Sequence, residues 1–252
     1  MSELSEISLP LLLLIGAATG TMTGLTGASG MSVLITVLLA FGIPADQIIA
    51  STFAVAGLNA LFGVVPFFKH HRPTRNDLLY FILPASVGAV VSYLAIASHL
   101  GSDSLGLALT VLMLFAGFYL AVDSGRKAET RIVLPPLAGS LFALAGGGVI
   151  GIFGGGGTVF MMLGLIILFG VPYHRALMLS LLMTIATCVP LLLAASARGS
   201  VPWSPLLVIL IVSLPAALFA GRWANRVDER YIKRGLGVYL VLISLALLTG
   251  RI

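Results

Sequence analysis

Charged side chains are scarce in this sequence of 252 residues. Only 14 Lys and Arg and 9 Asp and Glu are present, which is 9% of the chain, whereas a soluble domain carries roughly 25%. So few ionic groups cannot cover the surface of a soluble fold of this size. Apolar runs of about 18 or more residues recur instead, and each is long enough to cross a hydrocarbon core of about 30 Å. The composition predicts an all-α, polytopic membrane protein.

Several kinds of reactive site are also missing. The lone cysteine, Cys188, has no partner for an internal disulfide. The acidic residues all fall near the termini or between the apolar runs, which argues against a cation relay built on buried carboxylates. No metal-ligand spacing and no Ser/His/Asp set occurs within the apolar runs, so we predict no enzyme, no metal site and no cofactor. The first residues contain Glu3 and Glu6 but no Lys or Arg, and therefore lack the basic region of a cleavable signal peptide.

Breaks between the apolar runs divide the chain into ten segments. These cover about 9–27, 30–42, 47–68, 78–98 and 105–122, then 134–153, 157–170, 176–197, 204–220 and 235–250. The second and seventh are only 13 or 14 residues long, about 20 Å as helix, so spanning and re-entrant arrangements both stay open for them.

The basic residues orient these segments. Alternating all ten places twelve Lys and Arg on one side and two on the other, whereas merging each short segment with its predecessor gives eight against six. The stronger bias is the one expected from the positive-inside rule, and it predicts that both termini lie outside the cytoplasm. The basic residues behind the net charge of +5 are then explained as signals that orient the protein in the lipid bilayer. No nucleic-acid partner is predicted.

The two halves of the chain share an order of motifs. Gly24-Leu-Thr-Gly-Ala-Ser-Gly30 lies 127 positions before Gly151-Ile-Phe-Gly-Gly-Gly-Gly157, and after one inserted residue Phe41-Gly-Ile-Pro44 matches Phe169-Gly-Val-Pro172. We predict one transporter domain over 1–252, with a first repeat at about 9–122 and a second at about 134–250. An odd number of segments per repeat inverts the second repeat relative to the first, and such repeats build secondary transporters with a substrate site at mid-membrane.

The two glycine-rich breaks are the candidate substrate site. Glycine allows the backbone to leave helical geometry, and the N–H groups and positive dipole of the short helix that follows attract an anion. The predicted binding residues are Thr26, Gly27, Ser29 and Gly30 in the first break and Gly154, Gly155, Gly156, Gly157 and Thr158 in the second. Ser51, Asn59 and Thr187, in the segments after the two short runs, are predicted as weaker lining positions.

Other small or basic residues have two interpretations. The ladder of Gly16, Gly20 and Gly24 indicates either close helix packing or a ligand-binding face, and packing is the more common use in membranes. His174 and Arg175 follow a Gly-Val-Pro stop, where they either guard an entrance or set the topology; the second interpretation is favoured. The second break is not a phosphate-binding P-loop, because no Gly-Lys-Ser/Thr follows it.

The duplicated unit of glycine-rich break, short apolar run, Gly-aliphatic-Pro stop and small polar cluster resembles the sulfite exporter TauE/SafE family of permeases, over about residues 9–250. The resemblance implies transport of a small sulfur-containing anion, such as sulfite or an organosulfonate, across the bacterial inner membrane without ATP. Both termini would then be periplasmic. The chain departs from the family pattern at Gly27-Ala-Ser-Gly30, which replaces a run of glycines, and at Leu179-Ser-Leu181, which replaces a Thr-Ser pattern. These departures concern the identity of the anion.

The direction of transport and the coupling ion stay open. Without a coupling cation, the inside-negative potential drives an anion outward by about 2.3 kcal/mol per charge per 100 mV, so export by alternating access is favoured. One alternative is a sodium- or proton-coupled importer of a sulfonate or carboxylate. An alternative of another class is a non-transporting membrane scaffold subunit. The partners expected are the small anionic substrate and the lipid bilayer, and a homo-oligomer stays open.

Overall fold

The computed structural model describes residues 8–27, 45–68, 72–95 and 136–224, together with isolated positions at 31, 34–35, 38, 43, 118, 226–227, 231, 234–235, 238, 241–242 and 245. This part of the chain is helical, without a strand. Five of its helices are long and apolar enough to cross a membrane. The protein is therefore all-helical, with the helices of a polytopic membrane protein, as its composition predicts.

Seven helices carry the labels used below. They are α1 (Leu9–Thr26), α2 (Ala45–Val64, extended by a 3₁₀ turn at Val65–Phe67), α3 (Arg75–Ala95), α4 (Pro136–Phe153), α5 (Thr158–Ile167), α6 (Tyr173–Ala197) and α7 (Trp203–Ala224). These bounds agree to within a few residues with the predicted segments in the same places. The predicted segments at 30–42, 105–122 and 235–250 lie almost entirely outside the described residues.

In helix α3 the local sequence determines where the helix begins and where its turns widen. It begins with a capping box, in which Thr74 Oγ1 accepts the Asp77 N–H at 3.2 Å and Asp77 Oδ2 accepts the Thr74 N–H at 2.8 Å. A π-helical turn at Leu78–Ile82 follows, and the Leu83 N–H donates to Leu78 O. The wider turn accommodates Pro84, which has no N–H and whose ring crowds the preceding turn of a regular helix. The helix then continues to Ala95.

Glycines allow two helix pairs to approach closely. On α1, a Cβ atom at Gly16, Gly20 or Gly24 would collide with backbone atoms of α7, where Gly20 faces the Ser213 carbonyl. Between α3 and α4, Gly147 faces the Ala85 carbonyl in the same manner. The glycine ladder of α1 therefore serves close helix packing, which is a common arrangement in membranes because small residues let backbones approach.

Helices α2 and α6 form the centre of the bundle. In their most apolar stretches, 72% and 61% of the residues are buried, against 28% to 44% in α1, α3 and α7. The two helices are in contact at Gly57, where a Cβ atom would lie 3.2 Å from Cys188 Cβ. Because α2 and α6 are the segments that follow the two short runs, this arrangement places their polar side chains in the interior.

Candidate functional site

The second glycine-rich break is a defined turn between α4 and α5. Gly154–Gly157 forms a 3₁₀ turn, and Gly154 has φ of +72°, a left-handed conformation that glycine adopts without strain. The Gly155 N–H donates to Thr52 Oγ1 at 3.1 Å, and Thr158 Oγ1 donates to Gly155 O at 2.9 Å. Two buried hydroxyl groups therefore hold both polar groups of the Gly155 backbone.

The first break begins where α1 ends. Gly27 has φ of +62°, and its N–H donates to Thr23 O at 3.0 Å. Its carbonyl oxygen accepts a hydrogen bond from Ser180 Oγ at 3.2 Å. Ser29 and Gly30, also predicted to bind the anion, lie outside the described residues. Both breaks thus start at a left-handed glycine.

The hydroxyl groups predicted in the site are bonded to their own helices. Thr26 Oγ1 donates to Met22 O at 2.7 Å, and Ser51 Oγ donates to Gln47 O at 2.6 Å. Thr187 Oγ1 donates to Thr184 O at 3.1 Å. Each of these hydroxyl protons points along its helix, so an anion would receive a hydrogen bond from one of them only after a rotation of the side chain.

Asn59 differs from the other predicted lining residues. It lies in α2 and is completely buried. Its Oδ1 accepts a hydrogen bond from Ser213 Oγ of α7 at 2.8 Å, while its Nδ2 has no hydrogen-bond partner among the described residues. Buried polar groups without a partner are rare in native structures. The Asn59 amide therefore retains unused donor capacity inside the bundle.

The structure adds two residues that the sequence analysis did not place in the site. Thr52, rather than its neighbour Ser51, contacts the second break, and Ser180 contacts the first. A signal for both was present, because Thr52 precedes Asn59 by seven residues and Ser180 precedes Thr187 by seven. Two helical turns bring such pairs to the same face of a helix.

The start of α6 joins the ends of three other elements. Tyr173 Oη donates to Leu25 O at 3.2 Å, and His174 Nε2 lies 3.3 Å from Ala224 O. Arg175 Nη2 lies 3.1 Å from Asp77 Oδ2 in an ion pair. His174 and Arg175 are both engaged in contacts between helices.

These three residues form what we call the α6 hub, namely Tyr173, His174 and Arg175. Asp77, its acidic partner, is the one carboxylate whose side chain the structure describes, and it is buried at the first turn of α3.

Across the described ranges, no group of three or more His, Cys, Asp or Glu side chains is placed to hold a metal ion.

The comparison with known proteins gives one family. Residues 12–247 match the family model described as sulfite exporter TauE/SafE. That match covers nearly the whole chain, including both glycine-rich breaks and the α6 hub. A search of curated proteins found no match to the chain.

Proposed function

Because the chain belongs to the TauE/SafE sulfite exporter family, we propose that it is a secondary permease that moves a small sulfur-containing anion, such as sulfite or an organosulfonate, across the bacterial inner membrane. Family membership and the five apolar helices make the protein a multi-pass membrane protein of a transporter family. The anion, the alternating-access mechanism and the favoured direction, export, are the further content of the proposal.

The two left-handed glycine breaks carry this proposal. Each interrupts the helical backbone of a buried, apolar region, at Gly27 and at Gly154. Irregular backbone at membrane depth is tolerated where protein or a watery cavity satisfies its polar groups. Helix α5 starts directly after the second break, and the N-terminus of a helix carries about half a positive charge and N–H groups that suit an oxyanion.

The proposed binding groups are those of the two breaks and the side chains beside them. They are Thr26, Gly27, Ser29 and Gly30 with Gly154, Gly155, Gly156, Gly157 and Thr158, and Ser51, Asn59 and Thr187 as weaker lining positions. Among the lining positions, the buried Asn59 Nδ2, which has no partner within the described part of the chain, supports a role as donor. An amide N–H₂ favours an anionic or oxygen-rich solute over a cation.

We further propose that the two repeats, about 9–122 and 134–250, are inverted relative to each other, with both termini in the periplasm. Matched contacts support this proposal. Gly27 contacts Ser180 in the other half, and the turn that starts at Gly154 contacts Thr52. The two glycines are 127 positions apart and the two hydroxyl residues 128, so the contacts lie at equivalent positions of the two repeats. The close contacts of Gly20 with α7 and of Gly147 with α3 obey the same offsets. Rocking of one repeat against the other would then open the site alternately to each side.

Flux through purified protein tests the function. Proteoliposomes containing the protein are loaded with sulfite, and efflux is followed under an imposed potential, with and without a sodium or proton gradient. We expect efflux that is driven by the potential alone. Efflux or uptake that requires either gradient would favour the coupled importer, and absence of flux with sulfite, sulfate, thiosulfate and small sulfonates would overturn the permease function.

A pair of glycine variants tests the site. Gly156→Leu introduces a large side chain in the second break and is expected to abolish sulfite flux and binding. Gly235→Leu is the matched control, because a Cβ atom at Gly235 meets no atom of the described residues within 4 Å. Unchanged sulfite affinity in Gly156→Leu would show that the anion binds elsewhere.

A further inference from the structure

Buried hydroxyl groups join each helix break to the opposite half of the chain. The Gly155 N–H donates to Thr52 Oγ1 at 3.1 Å, and Ser180 Oγ donates to Gly27 O at 3.2 Å. The partners are 103 and 153 positions apart in the sequence, so neither contact follows from local helix geometry. Thr52 and Ser180 are both completely buried, which protects these hydrogen bonds from competition with water.

Each hydroxyl group is also fixed to its own helix. Thr52 Oγ1 donates its proton to the carbonyl of Ile49 at 2.7 Å, and the single proton of Ser180 Oγ is shared between the carbonyls of Leu177 at 2.9 Å and Gly27 at 3.2 Å. The Ile49 and Leu177 carbonyls each come from the residue three positions earlier. A hydroxyl group anchored in this way is held at one place, and the glycine backbone bonded to it is held as well.

The two contacts have different polarity. Thr52 uses its oxygen as an acceptor for a backbone N–H, whereas Ser180 uses its proton as a donor to a backbone carbonyl. At the second break, Thr158 Oγ1 donates to Gly155 O as well. The peptide groups on both sides of Gly155 are therefore oriented by side chains, and the turn is preorganised.

We propose that Thr52 and Ser180 are positioning residues, which hold the backbone of the opposite glycine break in the geometry that binds the anion. This inference rests on the proposed function. Neither side chain has to contact the substrate, because fixing the peptide groups in advance removes the cost of ordering them when the anion binds. The same two bonds link the two halves of the chain, so they also set where the breaks lie relative to α2 and α6.

Conservative variants of Thr52 test the inference through two measurements. Thr52→Val keeps the shape of the side chain and removes the acceptor, whereas Thr52→Ser keeps the acceptor. Amide hydrogen exchange across residues 154–158 in detergent measures the order of the turn without any ligand. In proteoliposomes, sulfite flux measures KM and the maximal rate. Thr19→Val is the control, because Thr19 is equally buried and, among the residues that the structure describes, its hydroxyl bonds within α1 to the Ile15 and Gly16 carbonyls.

In Thr52→Val we expect faster exchange of the turn and a higher KM for sulfite, each by about fivefold to tenfold, as loss of one buried hydrogen bond would give. Thr52→Ser and Thr19→Val should behave as the wild type. Ser180→Ala provides the second variant and should also raise KM, through the first break. Equal effects of Thr52→Val and Thr52→Ser, or unchanged exchange in Thr52→Val, would overturn the inference. Absence of sulfite flux in the wild type would instead overturn the proposed function, while the exchange comparison would still decide whether Thr52 holds the turn.

Discussion

The ion pair between Asp77 and Arg175 connects α3 to the start of α6, and its removal should measurably loosen the bundle. Asp77 has two roles. Its Oδ2 accepts the Thr74 N–H at 2.8 Å, which completes the capping box of α3, and both carboxylate oxygens lie 3.1 to 3.2 Å from Arg175 Nη2. The carboxylate is 7% exposed and the Arg175 side chain 43% exposed. The guanidinium can therefore regain water when its partner is lost.

These exposures set the expected magnitudes. Asp77→Ala leaves the Thr74 side-chain cap in place and removes the hydrogen bond from the Thr74 N–H to the carboxylate, which contributes about 1 kcal/mol. The half-exposed ion pair contributes no more than about 1 kcal/mol because solvent screens it. Asp77→Ala should then lower the free energy of unfolding by about 2 kcal/mol, or the midpoint of thermal unfolding by roughly 4 to 8 °C for a protein of this size. Arg175→Ala should cost about half as much, and Asp77→Asn should cost an intermediate amount, because its remaining side-chain oxygen still accepts the Thr74 N–H.

A double-mutant cycle isolates the ion pair. Thermal unfolding in detergent is measured for Asp77→Ala, Arg175→Ala and the double variant, at low and at high salt. We expect a coupling of about 0.5 to 1 kcal/mol that falls in 1 M NaCl, because salt screens partly exposed charges. Arg198→Ala serves as the control for loss of an arginine, since Arg198 stacks on Tyr93 at 5.2 Å instead. Additive effects of the two single substitutions would refute the reasoning.

Two further predictions concern the interior. Gly20→Ala should destabilise the protein by about 1 to 3 kcal/mol, because its Cβ would meet the Ser213 backbone. The control Gly63→Ala should be nearly neutral, since the nearest described atom to its Cβ would be 3.7 Å away, and equal melting temperatures would contradict the close packing of α1 on α7. Asn59→Ala removes an Nδ2 that has no partner among the described residues and leaves one buried hydroxyl, that of Ser213, unpaired, so it should cost about 1 kcal/mol. Ser213→Ala should cost about 1 to 3 kcal/mol, because it leaves the whole buried amide without a described partner. If Asn59→Ala proves the more destabilising of the two in thermal unfolding, Asn59 is a packing residue and not a ligand donor.

The sequence predicts the helices well because length and hydropathy decide them. A chain with few charges and long apolar runs lies in lipid, where a helix hydrogen-bonds its own backbone N–H and C=O groups. Helices α2, α3, α4, α6 and α7 accordingly lie close to the predicted segments. The positions of the two breaks were also predictable, because glycine at the end of an apolar run allows the left-handed conformation found at Gly27 and Gly154.

The partners of the breaks were less predictable, because they depend on how distant helices cross. The sequence pattern predicts Ser51 as a weaker lining position and assigns no partner to the second break. In the structure Thr52 contacts Gly155, while Ser51 bonds within its own helix. One position along a helix corresponds to a rotation of about 100°, so neighbouring hydroxyl residues face different helices. The seven-residue spacing from Asn59 favours Thr52, and the orientation of α2 in the bundle decides which helix each residue faces.

The same dependence explains why the breaks and the helices that hold them must be considered together. A glycine turn alone is permissive, since glycine populates many conformations, and permissive backbone does not bind an anion selectively. The hydroxyl groups of Thr52 and Thr158 restrict that freedom at Gly155. Glycine therefore supplies the unusual geometry, and the neighbouring helices supply its rigidity. A change in either one, such as a larger residue in the turn or an apolar one at position 52, should weaken anion binding because it disturbs the geometry of the turn.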